Sequence, residues 1–139
     1  MTTNGKAIRQ ALYDLGSRNV FRAEAYTLVD RLYGKPQVDK KIVVGLNWWI
    51  ADGYLTFEGG NGVTVHVQLP GADYQRCGFL DKIAIQGLRQ IANGTEVKIT
   101  IENEMLVFTE QHERMHLSMR FHVLEPVAEG QVSDHTFNR

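Results

Sequence analysis

The sequence predicts an α+β chain in which helices come first and strands gather towards the C-terminus. Two patterns carry that expectation. Three stretches within residues 4–53 space apolar side chains three and four apart, whereas later stretches alternate apolar and polar residues. A third observation is punctuation: Gly16, Gly34, Gly53, Pro70-Gly71 and Asn93-Gly94 fall where each expected element stops.

Taken in order, Asn4 is a candidate cap for a helix with Ile8, Leu12 and Leu15 on one face, and Gly16 ends it. The second helix, within "NVFRAEAYTLVDRLYG", aligns Phe21, Ala25, Leu28, Val29 and Leu32 before Gly34 and Pro36 stop it. A third opens at Asp39, buries Ile42, Leu46, Trp49 and Ile50, and closes at Gly53. The stretch "YLTFEGGNGVTVHVQL" then reads as two strands around a glycine-rich tip, Glu58 to Gly62. Beyond Pro70 and Gly71 comes a helix over 74–92, with Leu80, Ile83, Ala84, Gly87, Leu88 and Ile91 as its stripe and Ile85 off it. Strands follow at 96–102, 105–110 and 116–124. The division is therefore 1–70, a C-terminal α+β part over 71–128, and a polar tail over 129–139.

With 139 residues, 43% hydrophobic and 22% charged, the chain suits one compact domain or two very small ones. No apolar run approaches the ~20 residues of a membrane span, and the N-terminus lacks a secretory apolar core. A lone cysteine, Cys77, excludes an internal disulfide framework and fits a cytoplasmic protein. Cys77 has no recognisable catalytic partner, and Gly59-Gly60-Asn61-Gly62 lacks the Lys-Ser/Thr and following helix of a phosphate loop.

Three short helices followed at once by a glycine-tipped hairpin resemble a winged helix-turn-helix domain, followed here by a small helix plus three-stranded antiparallel sheet. The resemblance spans Ile8 to Leu69, and its most specific piece is "GLNWWIADGYLTFEGGNGVTVHV". It implies a third helix in the DNA major groove and a wing on the phosphate backbone. Carried over by position, Lys40 and Lys41 would meet phosphates, Asn47 would face base edges, and Arg18 and Arg22 would approach the backbone. The plainer reading of the basic residues is a solvated surface.

Charge runs against DNA contact by the wing. Lys and Arg number eight against six Asp and Glu in residues 1–66, then seven against ten in 67–139, and none occurs between Lys41 and Arg76. DNA affinity rests largely on neutralised phosphates. On the expected third helix Val44 and Trp48 face outward, and an exposed tryptophan anchors protein partners better than it reads bases. Its alternative place is packed against the second half of the chain.

One further motif needs weighing. His112, Glu113 and His116 spell H-E-x-x-H, and His122 follows at a metzincin-like spacing. That chemistry needs a helix, so that both imidazoles reach one zinc and the glutamate activates its water. Here Leu117, Met119, Phe121 and Val123 alternate with Ser118, Arg120 and His122, Met119 replaces the turn glycine, and only 17 residues follow His122. A hairpin with a histidine-rich wet face, open to weak metal binding or pH sensitivity, accounts for the pattern better.

The resulting expectation is a small cytoplasmic regulator that binds duplex DNA, uses no cofactor, and dimerises or binds a partner through its C-terminal part. The alternative is a protein-binding adaptor or inhibitor of the phage or mobile-element type without DNA binding. A zinc-dependent hydrolase comes third. No membrane partner is expected.

Overall fold

In the computed structural model, backbone is described for residues 2–16, 18–30, 36–60, 62–72, 75–91, 95–112, 115–123 and 126, and side chains for these except 23–42, 112 and 115. Among the described residues, two antiparallel sheets and two helices enclose one apolar core. The chain begins with β1 (Thr2–Asn4) and α1 (Gly5–Leu15). Asn4 caps α1 by accepting the Lys6 N–H at 2.8 Å, and Gly16 closes it by donating to the Leu12 and Tyr13 carbonyls. Ile8, Ala11, Leu12 and Leu15 form its buried face.

From there the architecture departs from a winged helix. Residues expected as second and third helices form two long strands, β2 (Phe21–Asp30) and β3 (Pro36–Ala51), paired along the whole of β2. Asp39, expected to cap the third helix, lies inside β3. Leu32 and Gly34 lie outside the described residues. The reason for the change of element is legible in β3. Ile42, Leu46 and Ile50 satisfy a four-residue spacing, but even-numbered positions from Ile42 to Ile50 also satisfy a two-residue spacing, with Val44 and Trp48 filling the gaps. Leu46, Trp48 and Ile50 are all buried, whereas Trp49, expected on the helical face, is only partly covered. A β-branched run, Ile42-Val43-Val44, favours the extended form.

The hairpin turn decides between the two periods. Asp52 (φ 54°) and Gly53 (φ 80°) are both left-handed, the two-residue turn that joins twisted antiparallel strands. Asp-Gly between alternating apolar runs is thus a hairpin signal here, where helix termination was expected. It leads into β4 (Tyr54–Glu58) and then β5 (Thr64–Gln68), with 59–63 as the glycine-rich connection.

The predicted helix over 74–92 divides into β6 (Arg76–Asp81) and a short α2 (Lys82–Leu88). Asp81 is the true cap, accepting the Ala84 N–H at 2.9 Å. Because Leu80 belongs to the strand, the helical phase shifts: Ile85 is buried and Ile83 is 77% exposed, the reverse of the expected stripe. Asn93-Gly94 lies outside the described residues.

The C-terminal strands are β7 (Glu96–Glu102), β8 (Met105–His112) and β9 (Met115–His122), a meander whose free β7 edge accepts β1. Val97 and Ile99 face the core while Lys98 and Glu102 are exposed. Asn103 (φ 50°) and Glu104 (φ 64°) form the tight β7–β8 turn. A glutamate in that conformation carries the steric cost that glycine avoids. Glu104→Gly is therefore expected to raise stability by about 0.5–1 kcal/mol, measured as an increased urea midpoint at unchanged slope.

In the second sheet, β3 is the organising strand. Gly45 pairs with both Phe21 and Asp81, and Asn47 with both Glu58 and Phe79. It follows that β2 and β4 succeed one another along one edge of β3, with β6 along the other. Gly45 is required by close approach: a Cβ there would collide with the Leu80 backbone carbonyl and lie 2.8 Å from Phe79 Cζ. Towards Pro36, β3 is paired with β2 alone among the described residues, so the sheet continues as a two-stranded ribbon.

Candidate functional site

The residues expected to touch DNA are not carried on helices: Arg18 precedes β2, Arg22 lies on β2, and Lys40, Lys41 and Asn47 lie on β3. Asn47 is 4% exposed, and its Nδ2 donates to Glu58 Oε1 at 3.1 Å across the β3–β4 pair. It fastens strands and cannot reach a base. Arg18 is exposed in the α1–β2 connection, and Arg22 is exposed on β2 opposite Val44. Lys40 and Lys41 sit on the ribbon, opposite Tyr26 and Ala25, with side chains outside the described residues. No recognition helix exists to gather them, because 36–51 is a strand.

The expected partner anchor also changes role. Trp48 is fully buried in the common core, and Val44 is half-buried. The Trp48 Nε1–H has no hydrogen-bond acceptor among the described residues. Burying a donor this way costs about 1–3 kcal/mol, so packing of the ring, not a polar contact, holds it there.

The histidine motif lies on the β8–β9 hairpin and not on a helix. His112 pairs with Met115, His116 with Gln111 and His122 with Met105, while Glu113 lies outside the described residues. His116 and His122 are exposed and six residues apart on one strand, ~20 Å at the rise of an extended chain. They cannot share an ion held by ~2 Å bonds. Among the described residues no group of three potential metal ligands is found.

What the fold does bring together is a groove that residue spacing did not indicate. It lies between β6, α2 and β9, with a volume of roughly 350 Å³, lined by Phe79, Leu80, Ile83, Ala84 and Phe121 among others. Both strands beside it are sheet edges: among the described residues β6 pairs only with β3, and β9 only with β8. Each therefore presents unpaired backbone groups. Asp81, Arg120 and His122 complete the lining. Asp81 caps α2, and Arg120 stands 3.8 Å from Glu102, a half-exposed pair.

Neither a protein-family model, nor a curated protein, nor a solved structure matches the chain.

One exposed apolar residue lines the groove and a second lies on the strand beside it. Ile83 is 77% exposed on its α2 wall, and Leu117 is 46% exposed further along β9. Single exposed apolar side chains are ordinary; an apolar groove flanked by two open strand edges is less so. The sequence signal that would have found it was the misphased Ile83: once Asp81 is taken as the cap, that side chain falls outside the core. No helix among the described residues is long and apolar enough to cross a membrane.

Proposed function

We infer that this chain is a protein-interaction module that captures an extended apolar segment of a partner protein in the β6–α2–β9 groove. The observation that carries this reading is an apolar groove beside two strands, β6 and β9, that each pair on one side only among the described residues. Strand edges supply main-chain hydrogen bonds without regard to sequence, and pockets beside them select alternate side chains. Ile83 and Phe121 supply the groove's accessible apolar walls, over a floor of the buried Phe79, Leu80 and Ala84. At roughly 350 Å³ the groove is at the small end of ligand pockets, about 300–1,000 Å³. That size suits a few side chains of a peptide better than a cofactor. Asp81, the carboxylate in the lining, is committed to capping α2, which leaves the apolar walls to select the occupant.

The reading keeps the adaptor class and drops its winged-helix basis. It is tested with a displayed library of random peptides selected on the immobilised protein. Selected peptides are expected to be extended and apolar at alternate positions. Ile83→Asp should weaken them by about tenfold or more, the effect of charging the wall of a desolvated pocket. Since Ile83 is exposed, the variant should fold normally. Peptides that bind it as well as the native chain would sink the proposal. A second copy of the chain taking the groove would instead appear as concentration-dependent dimerisation abolished by the same substitution, and would replace the peptide reading.

A further inference from the structure

A hollow separate from the peptide groove lies beside α1. It has a volume of roughly 600 Å³ and is lined by Lys6, Gln10, Leu12 and Tyr13 of α1 and by Arg89, the residue that ends α2. Its shape follows from the phase of α1. Ile8, Ala11, Leu12 and Leu15 are buried, so Lys6, Gln10 and Tyr13, spaced four and three apart, form one exposed stripe. At the helical rise the two ends of that stripe stand about 10 Å apart. None of the described lining residues is shared with the peptide groove.

The hollow combines open positive charge with an aromatic face. Arg89 is half-buried, and its guanidinium has no acceptor among the described residues. Lys6 is exposed, and its ammonium has none either. Arg9 also borders the hollow but already has an interaction partner, so the charge open to a ligand is that of Arg89 and Lys6. No carboxylate belongs to the described lining, and Asp14, the acidic residue of α1, accepts a hydrogen bond from Gln10 Nε2 at 2.8 Å. A guanidinium partly withdrawn from water is best met by a planar anion that accepts two parallel N–H bonds, and a carboxylate has that geometry. Two open cations match one such head, not a polyphosphate. Tyr13, 80% exposed, holds its ring out of the core beside them, and a second ring packs on it offset or edge-on. We propose that this hollow binds a small aromatic carboxylate, with the carboxylate on Arg89 and Lys6 and the ring against Tyr13. The volume lies within the range of ligand pockets, about 300–1,000 Å³.

The test is titration of the full chain with 2-naphthoate, followed by ligand-observed NMR and calorimetry, beside the uncharged 2-naphthamide and inorganic phosphate. Naphthoate is expected to bind saturably, and naphthamide at least about tenfold more weakly. Arg89→Gln should lower naphthoate affinity about tenfold, and Arg89→Lys should fail to restore it, because an ammonium lacks the two-pronged donor. Lys6→Gln, at the exposed rim, and Tyr13→Ala should each weaken it several-fold. Unchanged thermal melting shows that each variant is folded, and Ile83→Asp, in the peptide groove, should bind naphthoate as the native chain does. Absence of saturable binding, or naphthamide binding as tightly as naphthoate, overturns the proposal on the native chain alone. Affinity undiminished in Arg89→Gln, or lost in Ile83→Asp, overturns the placement in this hollow. Phosphate binding more tightly than naphthoate overturns the choice of an aromatic carboxylate.

Discussion

Replacing Trp48 by alanine is expected to lower the unfolding free energy by about 3–5 kcal/mol, a large part of the roughly 5–15 kcal/mol that holds a domain of this size together. The ring is fully buried in the core that both sheets share, and Phe57 of β4 is its cross-strand partner. Truncation removes its apolar area and leaves a cavity that rigid strands cannot close. Trp48→Phe separates the ring from its polar atom. It gives up part of the packing but also removes an indole N–H that has no acceptor among the described residues. These terms oppose each other, and the net change should stay within about 2 kcal/mol. Urea unfolding of both variants checks the pair. An alanine variant as stable as the native chain would place Trp48 on the surface, where a recognition helix would have put it.

Gly45→Ala is expected to cost about 3 kcal/mol, the upper part of the usual range for overpacking. The new methyl group meets two obstacles that cannot swing aside. One is the backbone carbonyl of Leu80 on the adjoining strand, and the other is the ring of Phe79, itself fully buried. Relief would require β6 to part from β3, the pairing that also sets the peptide groove. Loss of stability should therefore be accompanied by weaker peptide binding, readable by titrating a selected peptide at a temperature where the variant is folded. A Gly45→Ala chain as stable as the native one would mean that β6 does not lie against Gly45.

The particular residues show how far the sequence could be read. Alternation is unambiguous where polar residues separate apolar ones, as in Glu96–Glu102, and the strand there has the expected bounds. The first helix was equally legible, since Asn4 and Gly16 cap it as their chemistry suggests. β3 was not, because Ile42, Leu46 and Ile50 fit both periods, and the full alternation includes Val44 and Trp48 on one side with Val43, Asn47 and Trp49 on the other. A strand apolar on both sides loses its period-two signature. The deciding information was in the turn, Asp52-Gly53, and in β-branched composition, both local signals outweighed by a helical spacing. α2 was lengthened by six residues of strand for a similar reason: Leu80 lies four residues from Ala84, although the helix starts only after Asp81.

Candidate sites were harder to see than elements. Lys40, Lys41 and Asn47 owed their grouping to an expected third helix, and Arg18 and Arg22 to the approach of a second, where the fold has β3 and β2; Asn47 proved to be an interior strand tie. The groove and the cationic hollow each draw on segments far apart in the chain: β6 and α2 with β9, and α1 with Arg89. Neither juxtaposition follows from a spacing rule, because it depends on which sheet edges remain open after pairing.

Hydrogen–deuterium exchange on the native chain with and without a library-selected peptide tests the central claim most directly. Capture along the open edges predicts that peptide slows exchange of outward-facing amides in β9 and β6, with the β4–β5 hairpin unchanged. Slowed exchange confined to other elements, with β6 and β9 unaltered by a bound peptide, would contradict it.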